Sequence, residues 1–182
     1  MQANFDIALD FVWASGRDSP QDGYHVSPDD PGGGTFGGVI EATWTHAVAC
    51  STVSGQLCDA DTTQLSAVLR VHFWGDICDR APAGLDLLIF NGVMMTGMFP
   101  RLLQRCLGFT RDDVDGFIGP LTQAAMAKAD PLTLINAITG VHAGYLETLN
   151  VWPIFANGWT TRLLAAQQAA GALARPPTVL VA

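Results

Sequence analysis

The densest run of chemically capable side chains lies between Gln21 and Gly38. It reads Gln21-Asp22-Gly23-Tyr24-His25-Val26-Ser27-Pro28-Asp29-Asp30-Pro31-Gly32-Gly33-Gly34-Thr35-Phe36-Gly37-Gly38. Carboxylic acids are the groups that could do acid–base work there, and all of them are aspartates. Glutamate is scarce, at Glu41 and Glu147 only. Gly32, Gly34 and Gly37 satisfy G-x-G-x-x-G. A dinucleotide site needs a strand before those glycines and a helix opening on them, whereas Asp29-Asp30-Pro31 precedes them here.

Metal chemistry finds little support. His46, Cys50 and Cys58 lack the spacing of a zinc ribbon or finger, and no C-x-x-C occurs. Asp112, Asp113 and Asp115 lack the spacing and closing glutamate of an EF-hand, so Asp115-Gly116 reads as a tight turn. The expectation is no metal and no cofactor. Of the four cysteines, Cys50 and Cys58 are the pair to expect on oxidation, while a cytosolic origin favours free thiols for all. Trp74, Trp152 and Trp159 carry two readings, core packing or stacking against sugar rings.

The elements that must position these groups are mostly helical. Phe5, Leu9, Val12 and Trp13 predict a helix over about 4–14. Residues 15–40 contain ten glycines and prolines and predict a long irregular loop. Leu65, Val68, Leu69 and Phe73 predict a helix over 62–74, capped by Asp61 or Thr62. Leu85, Leu88, Ile89 and Val93 mark a buried helix, and Phe99, Leu102, Leu103 and Leu107 the next. Pro120 opens a short helix. Asp130-Pro131 suit the N-cap and first turn of another, which carries Leu134, Ile135, Ile138, Val141, Tyr145 and Leu149. A last helix is expected from Gly158-Trp159, stopped by Arg175-Pro176-Pro177. The fold class is mainly α, with six or seven helices and almost no strand-like alternation.

Charge removes several classes of function. The net charge is −8, and the basic residues are eight arginines and Lys128, spread along the chain. Without a basic stripe, nucleic acid is not an expected partner, nor is an anionic membrane surface. The longest apolar stretch, about 85–100, carries Asp86 and Asn91 and is shorter than the roughly 20 residues that span a bilayer. The N-terminus lacks the cationic start of a signal peptide.

The run from Gln21 to Gly38 resembles the N-terminal signature of glycoside hydrolase family 108 muramidases, roughly E-G-G-Y followed by D-P-x-D-P-G-G-x-T and G-I. Gly23, Tyr24, Pro28, Asp30, Pro31, Gly32, Gly33, Thr35 and Gly38 fall on it in order, with Val39 in place of Ile. Phe73-Trp74 and Pro82-Ala83-Gly84-Leu85-Asp86 are similar to the family's F-Y-W and L-P-x-G-L-D elements. Leu103-Gln104 through Leu107-Gly108, then Asp115-Gly116 through Thr122, resemble an associated peptidoglycan-binding region, and Gly158-Trp159 with Arg162 resembles the closing G-W-x-x-R. The resemblance covers about residues 5–165.

It implies a lysozyme-like helical domain over 1–98, a helical peptidoglycan-binding-like region over 99–172 packed on it, and a tail over 173–182. The implied chemistry is hydrolysis of the β-1,4 bond between N-acetylmuramic acid and N-acetylglucosamine. That requires a proton delivered to the leaving oxygen by a carboxylic acid. The family glutamate position holds Gln21, and Asp22 follows it as the candidate acid; Asp18 or Glu41 are the other carboxylates that an inserted loop over 16–20 could bring in. Tyr24, Asp30, Thr35, Trp74 and Asn91 are the candidate substrate-binding residues. In the buried helix, Asn91 stands where the family tends to carry an acid, and Met95 where it carries Asn.

The resemblance implies a phage endolysin or a wall-remodelling factor of secretion. Its substrate would be peptidoglycan glycan strands, reached from the cytoplasm with help from a holin or secretion apparatus. The protein would then act in the periplasm, at the cell wall or on a phage particle. Gln21 favours the competing reading, a non-catalytic peptidoglycan-binding or structural protein of a phage or secretion apparatus.

Overall fold

The helical periodicities have one common consequence, a buried stripe on each helix turned toward a shared interior. The computed structural model describes residues 2–14, 19–26 and 33–175. Among them nine α-helices surround a core, with one small sheet near the N-terminus. The helices are α1 (Gln2–Ala14), α2 (Glu41–Ala49), α3 (Thr62–Leu69), α4 (Gly75–Arg80), α5 (Leu85–Met95), α6 (Phe99–Cys106), α7 (Pro120–Lys128), α8 (Pro131–Glu147) and α9 (Trp152–Ala174). The class is mainly α and lysozyme-like, as the sequence predicts.

The central element is α5. Every residue from Leu85 to Gly92 is buried, so this helix is covered on all sides, by α1, α4, α6, α8 and α9. Phe5 of α1, Trp74 and Phe90 meet edge to face, with ring centroids 5.4 to 5.9 Å apart. The Arg70 guanidinium lies 5.4 Å above the Phe5 ring and binds Asp79 at 2.6 Å. At the start of α5 the buried Asp86 carboxylate accepts the N–H groups of Gly84 and Leu87, both at 2.8 Å, and the Asn4 amide at 2.6 Å. The Leu85-Asp86 element thus ties the first turn of α5 to α1 through a buried carboxylate.

Caps explain the helix starts. Asp61 and Gln64 form a reciprocal capping box on α3. Asp130 accepts the Thr133 N–H at 2.8 Å, and Pro131 occupies the first turn of α8, as expected.

Four expectations are corrected. The helix expected over 62–74 stops at Leu69. Residues Arg70–Trp74 widen into a π turn, and Gly75 (φ 49), the first residue of α4, redirects the chain. The last helix begins at Trp152 rather than Gly158, because Pro153 falls in the first turn, where no N–H is needed. The helices number nine rather than six or seven, with the short α2 and α4 added. The loop expected over 15–40 contains three antiparallel strands, β1 (His25–Val26), β2 (Gly34–Phe36) and β3 (Val39–Ile40). The turn between β2 and β3 is Gly37-Gly38, both at positive φ (56 and 82), the conformation of a two-residue hairpin turn. The tail from Pro176 lies outside the described residues.

Candidate functional site

The signature folds as a capped turn followed by the small sheet. Ser19 caps a single 3-10 turn, Pro20–Asp22, its hydroxyl accepting the Gln21 N–H at 3.2 Å. Gln21 and Asp22 are exposed on that turn. Gly23 (φ 70) then redirects the chain into β1.

The register divides the site residues between two faces. His25 pairs with Thr35, and Thr35 with Ile40, so these three share one face of the sheet. Gly34 points the other way, and the Tyr24 ring fills the space that a Gly34 Cβ would occupy. Stretched across β2 in this way, Tyr24 donates its hydroxyl to Glu41 Oε1 at 3.0 Å, at the start of α2. The sheet is thereby clasped from its first strand to the helix beyond its last. The bond to Glu41 also raises the Tyr24 pKa above the ordinary tyrosine value. Trp13 donates to the Gly37 carbonyl at 3.2 Å, which ties α1 to the β2–β3 turn.

The other residues singled out from the sequence fall as follows. Thr35 is 7% exposed, and its hydroxyl lies 3.5 Å from the Gly33 carbonyl. Asp18 and Asp30 lie outside the described residues. Glu41, weighed as an alternative acid, is the carboxylate brought against Tyr24. Two candidates are corrected. Trp74 is fully buried, donating its indole N–H to Asp79 at 2.8 Å and packing edge to face with Phe5 and Phe90. Asn91 is 1% exposed; its carbonyl accepts Arg162 Nε at 2.7 Å and its amide points at Met95 Sδ, 3.6 Å away. Both are interior residues that hold helices together rather than groups a ligand can reach.

The LQ and DG elements form a polar hub. Gln104, 1% exposed, donates to Asp115 Oδ1 at 2.7 Å and to the Phe117 carbonyl at 3.1 Å, and accepts the Gly116 N–H at 2.8 Å. Asp115 also accepts the Phe117 N–H at 2.8 Å. The Gln104 bond, then the Phe117 N–H, hold the Asp115 carboxyl below the usual carboxylate range. This is the tight-turn reading of Asp115-Gly116. All four cysteines are free thiols.

A cleft of about 390 Å³ between α2 and the π turn was not foreseen. His46 and His72 line it with rings 5.3 Å apart, and Cys50 Sγ lies 3.6 Å from His46 Nε2. Burial, then His46, lower the His72 pKa. Its residues are dispersed over 42–73, without a motif to mark them.

The architecture is a mainly α, lysozyme-like helical body with a glycine-rich hairpin tied to its first helix. The model of the family described as glycosyl hydrolase 108 matches residues 21–97, the segment that runs from the capped turn to the end of α5. Among solved structures, one described as the structure of Brucella abortus SagA is similar to this chain, with a TM-score of 0.83 and 26% identity. The similarity covers 98% of this chain and 100% of that one. No curated protein matches.

Proposed function

We propose that the protein hydrolyses peptidoglycan as a muramidase, adding water across the β-1,4 bond between N-acetylmuramic acid and N-acetylglucosamine. The Asp22 carboxylic acid gives its proton to the leaving glycosidic oxygen, and water supplies the hydroxyl to the sugar carbon while its other proton restores the Asp22 acid. Gln21, at the family's glutamate position, has no proton to give and acts as a hydrogen-bonding neighbour. Tyr24 and Asp30 shape the ground around the bond, and Thr35, buried on the other face of the sheet, supports the hairpin that carries them. The observation that carries this reading is the family match beginning at Gln21 itself, on the exposed, Ser19-capped turn that presents Asp22. Because an Asp carboxyl is one methylene shorter than Glu, a misplacement of about 1 Å lowers the rate about 100-fold against a glutamate enzyme.

In this reading residues 1–98 form the catalytic-type region and 99–172 a peptidoglycan-binding region, with 173–182 as a tail. The setting is a phage endolysin or a secretion-associated wall factor that reaches the periplasm by assisted export. The observation favouring a second reading, a non-catalytic peptidoglycan-binding or structural protein, is Gln21.

A zymogram on purified peptidoglycan separates the two. Clearing by the native protein that disappears in Asp22→Asn supports the enzyme. Clearing that appears only in Gln21→Glu favours the non-catalytic reading. Neither clearing nor retention on insoluble peptidoglycan in any variant overturns both.

A further inference from the structure

The five tryptophans fall into two groups. Trp13, Trp44 and Trp74 each donate the indole N–H to a protein acceptor: the Gly37 carbonyl, the Gly55 carbonyl at 3.0 Å, and Asp79. Trp44 and Trp74 are core residues, and Trp13 packs against the core. Trp152 and Trp159 do none of this. Neither belongs to the core or packs on it, and among the described residues neither indole N–H has a protein acceptor.

They meet each other and Phe155 instead. The Trp152 and Trp159 rings are 6.2 Å apart, and Phe155 stacks on Trp159 at 5.4 Å with 24° between planes. All three are partly exposed. Their spacing, i, i+3 and i+7, puts them on one face of the first two turns of α9, ahead of Leu163, the first buried residue of that helix. Arg162 meets Asn91, and a Gly84 Cβ would abut Ala170, so α9 runs antiparallel to α5. Extending that register puts Trp159 level with Met94 and Met95, at the C-terminal end of the buried helix.

Rings held away from the core leave apolar surface in water, and each buried Å² of it would return about 25 cal/mol. A ligand that covers the rings would offer them an apolar face and replace water as the acceptor of the indole N–H groups. A pyranose has such a face in its C–H bonds, and an acetamido group supplies the carbonyl. Even wholly exposed, three rings of about 150–250 Å² each fall short of the roughly 800 Å² per side of a stable protein interface. The size fits a small ligand better than a second protein.

We propose that Trp152, Phe155 and Trp159 form a platform for the N-acetylhexosamine rings of a glycan strand. The proposal rests on the glycan-directed reading of the protein and adds to it a binding surface remote in sequence from Asp22. Phe155 and Trp159 hold each other's orientation, so little side-chain freedom is lost on binding.

The test uses the full chain, with indole fluorescence titrated by tri-N-acetylchitotriose and sedimentation with insoluble peptidoglycan as the two readouts. The native protein is expected to show saturable quenching. Trp152→Ala and Trp159→Ala each weaken binding about tenfold. Trp159→Phe keeps the stack on Phe155, loses the N–H and weakens binding less. Alanine variants with native far-UV dichroism and native affinity overturn the platform while leaving the glycan-directed reading intact. Should those variants lose helix, unchanged affinity in Trp159→Phe overturns the N–H contact that identifies the ligand. Native protein that clears a peptidoglycan gel yet binds neither probe overturns the platform alone; one that neither clears nor binds overturns both.

Discussion

His142 is completely buried on α8, with the Phe99 ring edge-on at 5.1 Å, and neither ring nitrogen has a hydrogen-bond partner. Burial alone lowers its pKa from 6.5 to about 4. Between those values the unfolded chain binds a proton that the folded chain refuses. Stability is therefore full above pH 6.5, falls as the pH drops toward about 4, and is flat below. At about 1.4 kcal/mol per pH unit, the loss across that interval comes to about 3 kcal/mol. That is a large share of the roughly 5–15 kcal/mol that holds a domain folded. His142→Leu removes the titrating group and both unpaired nitrogens. Its packing change is felt equally at every pH, so it cancels when the two proteins are compared across pH. Urea unfolding of the native protein and His142→Leu at pH 7.5, 6.5, 5.5 and 4.5 measures the difference. The variant's relative stability is expected to rise by about 2.5 kcal/mol from pH 7.5 to 4.5. A difference constant within about 0.5 kcal/mol over that range, set against the same expected slope, would refute a neutral buried imidazole.

Three further perturbations follow from the geometry. The Tyr24 phenol is expected to ionise above the ordinary tyrosine value, and Glu41→Gln to return it toward that value, in a spectrophotometric alkaline titration; no difference between the proteins would show that the clasp is not made in solution. Gln104→Leu strands the Gly116 N–H and removes the anchor of the Asp115 turn, so unfolding in urea should show a loss of about 2–3 kcal/mol; a loss under about 0.5 kcal/mol would contradict the hub. Trp74→Phe removes a core ring and the bond to Asp79, so stability should fall by about 1–3 kcal/mol with peptidoglycan retention unchanged; the reverse pattern would restore Trp74 as a ligand contact.

Much of the helical fold was legible because long periodic stripes leave little choice. Phe5, Leu9 and Val12 on α1, and Leu134, Ile135 and Ile138 on α8, repeat at 3.6 residues and are all buried. The sheet was not legible, since strands of two or three residues are too short for alternation to register. The Gly37-Gly38 turn was its one local sign. Trp152 and Pro153 concealed the start of α9, because a proline ahead of a glycine reads as a break although the first turn tolerates it.

At the site, motif and spacing marked the run from Gln21 to Thr35 but not its division between two faces, which depends on register. Asn91 and Trp74 were misassigned for a related reason. A polar or aromatic residue on a nearly all-apolar helix or beside a motif can serve a ligand or the interior, and only tertiary partners such as Arg162 and Asp79 decide between them. The opposite held for Trp152 and Trp159, whose separation from the core is invisible in composition.

The central claim, hydrolysis of the muramic acid to glucosamine bond, is tested most directly at the new chain ends. Purified peptidoglycan digested with the native protein is reduced with borohydride, and the reduced sugars are identified by mass spectrometry. The account predicts muramitol at the reducing ends, absent after digestion with Asp22→Asn. Glucosaminitol, an anhydro-muramic end, or no new ends from the native protein would contradict it.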